Sequence, residues 1–412
     1  RKAAGFGVAS KEHDKERYEH KYEYCDLLIA GSGPSGLASA YAAAKNGARV
    51  ILAEDKPRFG GSLLTSDVSI NNQSGKEWAD NIITELKGMT NVTVKNRAQI
   101  FGYYDHNMLV MSERVTDHLP KSEEFTPKQR LWYIRAKQVV ISSGSIERPI
   151  VFGNNDTPGV VLASAAKEYM KVYGVLVGKK PVVFTNNDSA YETAIEFKKN
   201  NINPIVLDSR QDSNSEIIKE AKSLGIDIKF SHVVVAAKGY KKVKSCDIAE
   251  ISEDKQNLNQ IKNIECDCIC VSGFWTPTIH LASQSGGKTK FKEEIDAFVP
   301  DKSKQKEVTL GSANGIFTLE ETLKTSFDKG FELSKAITNN NNSQQIPKVS
   351  EKKHSKHDKF WCVPLPKGKK YKRFLDFQND VAVSDIELAI REGYRSIEHV
   401  KRYTTLGMAT DQ

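Results

Sequence analysis

The stretch CDLLIAGSGPSGLASAYAAAKNGARVILAED, residues 25–55, joins two short apolar segments through a glycine-rich turn and an alanine-rich segment. This order predicts a strand, a tight turn, a helix and a second strand that ends at Glu54. In such a turn Gly31 makes the bend, Gly33 lets the backbone approach a pyrophosphate, and Gly36 lets the helix pack closely on the sheet. Because the free N–H groups of a helix N-terminus attract anions, the pattern predicts a dinucleotide-binding unit.

Glu54 follows Gly36 by eighteen residues, the position from which an acid accepts hydrogen bonds from an adenosine ribose. A carboxylate there repels a 2′-phosphate, so we expect NAD rather than NADP. A tight turn that binds no ligand is the alternative interpretation of the motif.

The composition is that of a globular protein with room for two or three domains, since 39% of the 412 residues are hydrophobic and 27% are charged. No apolar run approaches the ~20 residues of a membrane helix, and the N-terminus lacks an apolar signal segment. We therefore expect a cytoplasmic protein without a membrane partner. The net charge is +8, but no nucleic-acid-binding module is recognisable and no nucleic-acid partner is expected.

The six cysteines lack the paired spacing of a disulfide framework, so we expect reduced thiols. Cys266, Cys268 and Cys270 alternate in a predicted strand, which places all three on one of its faces. A strand cannot fold three such thiolates around one metal, so we expect buried apolar side chains rather than a metal cluster. The lack of a Cys-x-x-Cys pair argues against a disulfide reductase.

Residues 181–208 repeat the opening unit at a constant offset of 154 positions, which aligns Thr185, Ala190 and Asp208 with its outer glycines and its acid. The duplication predicts a second Rossmann-like unit. Side chains at Thr185 and Asn187 fill space that a pyrophosphate needs, so we predict one working dinucleotide site and one that has lost binding. We favour hydrogen bonds within this turn over a new ligand role.

The predicted fold class is α/β, with two nested Rossmann-like (glutathione-reductase-like) three-layer domains and a small C-terminal helical module. The predicted parts are an N-terminal arm at 1–24, a discontinuous NAD-binding domain at 25–152 and 281–337, a degenerate second domain at 153–280, a linker at 338–372 and the helical module at 373–412. Ser384 begins a predicted capping box in the module. The basic segment 352–373 is either a solvated linker or a docking surface for an acidic partner or polyanionic substrate.

Several segments resemble the alpha subunits of heterotetrameric sarcosine oxidases, within the two-dinucleotide-binding-domain flavoprotein-like group. They include RYEHKYEYCDLLIAGSGPSGLASA, FGYYDHNMLV, IERPIVFGNNDTPGV, FTNNDSAYETA, VSGFWTPTIHL and KRYTTLGMATDQ, and the resemblance extends over nearly all 412 residues. Alpha subunits of that family also have a small N-terminal domain and a C-terminal aminomethyltransferase-like domain. On this resemblance the chain corresponds to a central fragment.

The resemblance implies a subunit of an enzyme that demethylates sarcosine oxidatively to glycine. In that enzyme the methylene group passes to tetrahydrofolate, which the missing C-terminal domain binds, and electrons pass through flavins to oxygen and form H2O2. The implied partners are the beta, gamma and delta subunits, with FAD and FMN in the beta subunit and zinc in a small subunit. This chain is then expected to hold NAD and to contain neither a catalytic residue of amine oxidation nor a metal ligand.

The resemblance also implies the cofactor contacts. They are Gly31, Gly33, Ser35 and Gly36 at the pyrophosphate, Glu54, Asp55 and Lys56 at the adenosine ribose, and Ser62, Ile100, Ala313 and Thr318 in the rest of the pocket. Flavoproteins of this group place an Asp where this chain has Ala313 and its neighbours, and that Asp holds the flavin ribityl chain. Its replacement favours NAD over FAD.

Residues 374–412 resemble a small 2Fe–2S module of related amine dehydrogenases. Asp376 and Gln378 stand at its first cysteine pair, and Asp411 stands near a later cysteine. Since iron–sulfur clusters need thiolates, no cluster is expected here.

The sequence leaves three alternatives open. The first is an alpha subunit of a related amine or proline dehydrogenase. The second is a free-standing FAD-dependent NAD(P)H oxidoreductase, with flavin at the Gly31 turn and a functional second site. The third is a nucleotide with a purely structural role.

Overall fold

The computed structural model describes residues 11–121 and 125–408. The strands in this part are β1 (Tyr18–Ala30), β2 (Val50–Ala53), β3 (Ser69–Ile70), β4 (Gln73–Ser74), β5 (Val92–Lys95), β6 (Ala98–Tyr104), β7 (Met108–Arg114), β8 (Gln129–Ile141), β9 (Ser145–Glu147), β10 (Val160–Leu162), β11 (Pro181–Thr185), β12 (Ile205–Asp208), β13 (Asp227–Phe230), β14 (His232–Lys238), β15 (Ser245–Ile251), β16 (Leu258–Glu265), β17 (Cys268–Ser272), β18 (Trp275–Pro277), β19 (Lys288–Lys292), β20 (Ala297–Lys302), β21 (Glu307–Thr309), β22 (Val349–Ser350), β23 (Phe374–Asp376) and β24 (Val381–Ala382). The helices are α1 (Pro34–Lys45), α2 (Gly75–Lys87), α3 (Ala163–Tyr173), α4 (Ser189–Lys199), α5 (Glu216–Ser223), α6 (His280–Gln284), α7 (Leu319–Thr338), α8 (Val383–Arg391) and α9 (Ile397–Thr404).

The first sheet has the strand order β5-β2-β1-β8-β7-β6, with β21 also paired to β8. Its strands β5, β2, β1, β8 and β21 run parallel, whereas β6 and β7 form an antiparallel meander with β8. Helix α1 packs on this sheet through small side chains, and Gly330 of α7 lies so close to Ser39 that a Cβ atom there would be 2.5 Å from its carbonyl oxygen. This close approach explains the alanine-rich sequence of α1.

The second sheet has the parallel order β10-β17-β11-β12-β13 and repeats the β–α–β arrangement of the first. Its elements β11, α4 and β12 coincide with the sequence repeat predicted for residues 181–208. The chain passes from the first unit to the second through β9, which follows β8, and returns through β18, which follows β17. These two connecting strands pair with each other in antiparallel orientation. The α/β, Rossmann-like fold predicted from the sequence is confirmed.

All six cysteines are unpaired; five of them are buried, and Cys362 is partly exposed. Cys268 and Cys270 lie on one face of β17 with their Sγ atoms 3.6 Å apart. Cys266 precedes this strand and packs in the core on the other side of the sheet, so the prediction that all three share a face was wrong. The strand begins at Cys268, and its alternation therefore does not extend back to Cys266.

Two segments that the sequence placed outside the folded units are part of them. Residues 18–24 belong to β1 and pair with Gln129–Arg135 of β8, so the N-terminal arm was predicted too long. Residues 1–10 lie outside the described residues. In the predicted linker, residues 349–363 form a segment that we call the strap, in which Phe360 and Val363 are buried. The strap is packed, and the solvated-linker interpretation was wrong for it.

The C-terminal module consists of β23, β24, α8 and α9. Helix α8 is capped at Ala382, whose backbone N–H donates to the Asp385 carboxylate at 2.8 Å. Ser384 therefore lies inside the helix rather than at its N-cap, because Asp385 already satisfies the terminal N–H group. Among the described residues, every helix is too short or too polar to cross a bilayer.

Candidate dinucleotide site

The turn between β1 and α1 requires glycine at two positions. Gly31 has a φ of 102°, and a Cβ atom there would lie 2.4 Å from the Ser142 carbonyl oxygen. A Cβ atom at Gly36 would lie 1.9 Å from the carbonyl oxygen of Gly31. Both glycines are therefore needed for the turn to fold, whatever it binds.

Gly33 differs from these two glycines, since a Cβ atom there would meet no atom within 4 Å. Next to it, Ser35 Oγ is buried at the N-terminus of α1 and has no hydrogen-bond partner. An open backbone, an unpartnered hydroxyl and the N–H groups of a 12-residue helix together provide donors for an anion. The residues present thus fit a pyrophosphate.

Glu54 lies at the end of β2, beside this turn. Its Oε2 atom accepts hydrogen bonds from the backbone N–H of Ser32 at 2.9 Å and from Ser32 Oγ at 2.5 Å. Its Oε1 atom accepts from the Lys56 backbone N–H at 3.0 Å. Burial raises the pKa of the Glu54 carboxyl to about 7. A group that supplies more hydrogen-bond donors, such as a ribose diol, would favour the ionised form.

A cavity of about 2660 Å³ extends from this turn to the second Rossmann-like unit and the strap. Small-molecule sites typically measure about 300–1,000 Å³, so the cavity exceeds the size of an ordinary ligand site. It is large enough for a dinucleotide in an extended conformation.

The structure brings most of the predicted site residues together on the wall of this cavity. They are Gly31, Gly33, Ser35, Glu54, Asp55, Lys56, Ser62, Ile100 and Thr318. Two others lie behind the wall: Gly36 is buried in α1, and Ala313 is fully buried in the 3₁₀ turn Gly311–Asn314. Lys56 also contacts the second unit, since its Nζ lies 3.0 Å from Glu168 Oε1.

The corresponding turn of the second unit is filled by its own side chains. Thr185 Oγ1 donates to the Asn187 carbonyl oxygen at 2.9 Å, and Asn187 Nδ2 donates to Ser272 Oγ at 3.0 Å. Asn187 Oδ1 accepts from the backbone N–H of Ser189 at 3.0 Å, at the start of α4. The donors that would bind a phosphate in a working site are therefore satisfied by protein atoms, as expected from the sequence.

The strap lies directly against this second turn. Asn186 Nδ2 donates to the carbonyl oxygens of Asp358 at 2.8 Å and Phe360 at 3.2 Å. The Ser355 backbone N–H donates to Asp188 Oδ2 at 2.6 Å. The sequence predicted hydrogen bonds of these side chains within the turn alone and did not indicate their contacts with the strap. The available signal was the run of three polar side chains, Asn186, Asn187 and Asp188, in a turn whose working counterpart has glycines.

A buried arginine completes this arrangement. Arg210 donates from Nη2 to Asp208 Oδ2 at 2.7 Å, and its Nη1 atom lies 2.8 Å from Asp188 Oδ1. The arginine lowers the pKa of the Asp188 carboxyl, against the opposing effect of burial. Arg210 was not among the predicted site residues. The signal in the sequence was a cation two positions after Asp208, the acid that ends the second β–α–β unit.

In the C-terminal module, Asp376 occupies the place of a cysteine in the 2Fe–2S resemblance. Its carboxylate accepts hydrogen bonds from the backbone N–H groups of Gln378, Asn379 and Gly407, at 2.9, 3.0 and 2.8 Å. These bonds lower the pKa of the Asp376 carboxyl. Asp411 lies outside the described residues. The carboxylate therefore closes this loop as a hydrogen-bond acceptor.

Two family models match the chain. The pyridine nucleotide-disulphide oxidoreductase model matches residues 25–310, and the sarcosine oxidase A3 domain model matches residues 370–412. Among solved structures, L-proline dehydrogenase from P. horikoshii has a TM-score of 0.64 at 19% identity. The matched region covers 97% of this chain and 72% of the dehydrogenase chain. T. acidophilum thioredoxin reductase has a TM-score of 0.58 at 16% identity, and the matched region covers 77% of this chain and 98% of the reductase chain. These structures share the fold.

Curated relatives extend the match along the whole chain. Sarcosine oxidase subunit alpha of Rhizobium meliloti (strain 1021) is 36% identical over 419 residues, which cover 100% of this chain and 40% of the relative. Sarcosine oxidase subunit alpha of Corynebacterium sp. (strain P-1) is 34% identical and covers 99% of this chain and 43% of the relative. The chain thus spans about two fifths of the length of these relatives. It belongs to the pyridine nucleotide-disulphide oxidoreductase family and is homologous along its whole length to sarcosine oxidase alpha subunits.

Proposed function

We propose that this chain is the NAD-holding part of the alpha subunit of a heterotetrameric sarcosine oxidase. The observation that carries the proposal is the pair Gly33 and Ser35, which both line the cavity: the backbone is open at Gly33, and the buried hydroxyl of Ser35 has no partner. Such a pair of residues at a helix N-terminus suits a pyrophosphate, whose oxygens can accept the hydrogen bond that the Ser35 hydroxyl lacks.

The choice of NAD rests on two neighbouring features. Glu54 places a buried carboxyl where an adenosine ribose would donate its hydroxyls, and its charge disfavours a 2′-phosphate. Ala313 offers no carboxylate to a flavin ribityl chain and is fully buried. Both features favour NAD over NADP and FAD.

The reaction proposed for the whole enzyme is oxidative demethylation of sarcosine to glycine, with methylene transfer to tetrahydrofolate and H2O2 formation. The proposed partners are the beta, gamma and delta subunits, with FAD and FMN in the beta subunit. Homology to the sarcosine oxidase alpha subunits supports this assignment. We assign the amine-oxidising residues and folate binding to other parts of that assembly, place it in the cytoplasm, and expect no Fe–S cluster in this chain.

The competing function is that of a free-standing FAD-dependent NAD(P)H oxidoreductase, which needs two nucleotide sites. The closed turn at Thr185–Ala190 argues against it, because the strap and the turn's own side chains fill that place. A further alternative is that the substrate of the whole enzyme is a related secondary amine, such as proline, instead of sarcosine. The role proposed for this chain is the same in that case.

The test is the identity of the nucleotide released when the purified chain is denatured. We expect the extract to contain NAD and no flavin by mass and absorbance spectra. A Gly33→Val chain, in which the new side chain occupies the open space, should release no NAD. Release of FAD from the unaltered chain would contradict the proposal and support the reductase.

A further inference from the structure

The order of the strands defines which side of the cavity each half of a dinucleotide can occupy. The Gly31–Gly36 turn follows β1, and Glu54 follows its neighbour β2 on one side. On the other side of β1 lie β8 and β21, which end beside Ser142 and Gly311. Because the two halves leave the pyrophosphate in opposite directions, a nucleotide with its adenosine at Glu54 has its second half over β8 and β21.

A continuous wall leads from the pyrophosphate site along that second side. Gly311 packs against Ser35, so that a Cβ atom on Gly311 would be 2.8 Å from the serine Cβ. The chain then continues to Phe317, whose ring contacts Phe274 edge to face with centroids 5.2 Å apart. Phe274 in turn stacks on His357 of the strap, with centroids 4.1 Å apart and planes 6° apart. All five residues except Gly311 line the cavity.

His357 is the unusual member of this wall. Its side chain is only 7% exposed, and its Nε2 atom has no hydrogen-bond partner. A buried polar atom without a partner is costly, and native proteins keep few of them. Burial and the nearby Arg148 lower the pKa of His357 to about 4, so the imidazole is neutral at physiological pH. A neutral Nε2 can donate or accept a hydrogen bond, depending on the tautomer.

We propose that His357 and Phe274 form the recognition site for the planar ring at the end of the dinucleotide opposite to the adenosine. The carboxamide of that ring offers both a donor and an acceptor to the unpartnered Nε2 atom, while Phe317 presents an aromatic surface beside it. The proposal rests on the function proposed above. The strap then contributes directly to the cofactor site, in addition to covering the second turn.

The experiment compares the affinities of NAD and ADP-ribose, which lacks the ring, by isothermal titration calorimetry on the chain freed of co-purified nucleotide. In the unaltered chain NAD should bind more tightly than ADP-ribose. His357→Phe keeps a ring against Phe274 but removes Nε2, and it should weaken NAD binding about tenfold while leaving ADP-ribose binding unchanged. His357→Gln supplies an amide that can also donate or accept a hydrogen bond, and it should retain part of the NAD affinity that His357→Phe loses.

His118→Phe, on the loop between β7 and β8 and outside the cavity, is the matched control and should change neither affinity. If His357→Phe and His357→Gln weaken both ligands equally, or weaken neither, the assignment of the ring site is overturned while dinucleotide binding stands. If the unaltered chain binds neither ligand, the proposed function itself fails. Should His357→Phe not fold, as judged by circular dichroism, His357→Leu, which also removes the Nε2 atom, replaces it in the same comparison: a larger loss of affinity for NAD than for ADP-ribose supports the site, and equal or no losses overturn it.

Discussion

Arg210 and Asp188 form a buried ion pair at the turn of the second Rossmann-like unit, with Nη1 of the arginine 2.8 Å from Oδ1 of the aspartate. The same guanidinium also binds Asp208 at 2.7 Å. In a nucleotide-binding unit the acid after the second strand faces the ligand. Here Arg210 pairs with this acid, Asp208, and also with Asp188, so a side chain of the protein neutralises both buried carboxylates.

Arg210→Met should lower the free energy of unfolding by about 3–5 kcal/mol, because it leaves two buried carboxylates without their cation. Urea unfolding at pH 7 measures the change. The control is Lys329→Met, which removes an exposed pair with Glu332 and should cost less than about 1 kcal/mol. Equal losses of unfolding free energy in the two variants would show that the buried ion pairs contribute no more to stability than an exposed one.

Gly33→Ala and Gly36→Ala should separate binding from folding. The first places a methyl group in open space, so it should change the free energy of unfolding by no more than about 1 kcal/mol and weaken NAD binding about 10- to 100-fold. The second drives a Cβ atom into the Gly31 carbonyl and should destabilise the chain by about 1–3 kcal/mol. Thermal unfolding and NAD titration of both variants measure this contrast, and NAD binding that survives Gly33→Ala unchanged would count against the site.

The affinity for NAD should depend on pH through Glu54. Its pKa of about 7 in the free chain means that the carboxyl is largely protonated at pH 6 and ionised at pH 8. Only the ionised form accepts hydrogen bonds from both ribose hydroxyls, so binding below pH 7 must release the proton. The NAD affinity should therefore fall by up to about tenfold per pH unit below pH 7. Calorimetry from pH 5.5 to 8 measures this slope, which should flatten in Glu54→Gln; parallel slopes in both proteins would assign the titration to another group.

The strap should loosen when its anchor is removed. Asn186→Ala takes away the donor to the carbonyls of Asp358 and Phe360, at a cost of about 1–3 kcal/mol to their local stability. We expect faster amide hydrogen exchange in residues 355–363 and unchanged exchange in β1 and α1. Asn203→Ala, which removes only an exposed contact to Lys198, is the control. Unchanged exchange in the strap of Asn186→Ala would mean that other contacts hold it.

The sequence predicted the first unit well because its determinants are close along the chain. The turn from Gly31 to Gly36 and the acid at Glu54 act within one βαβ unit, and steric requirements of the backbone dictate their spacing. The repeat at residues 181–208 was predictable for the same reason. Both turns lie where the fixed offset of 154 positions placed them.

The strap was not predictable in this way, because its partners lie far away in the sequence. Asn186 bonds to a carbonyl 172 positions further along, and the lysine- and serine-rich composition of residues 349–363 is typical of a linker. Similarly, the polar residues 18–24 become a strand because β8 pairs with them, which local composition does not indicate. In both cases tertiary contacts override a local signal.

The most direct test of the account is the stoichiometry of NAD binding to the nucleotide-free chain, by equilibrium dialysis. We predict one NAD per chain, lost in Gly33→Val and retained in Asn187→Ala. Two NAD molecules per chain, or binding that survives Gly33→Val but disappears in Asn187→Ala, would contradict the claim that the first turn holds the cofactor and the second is closed by the protein itself.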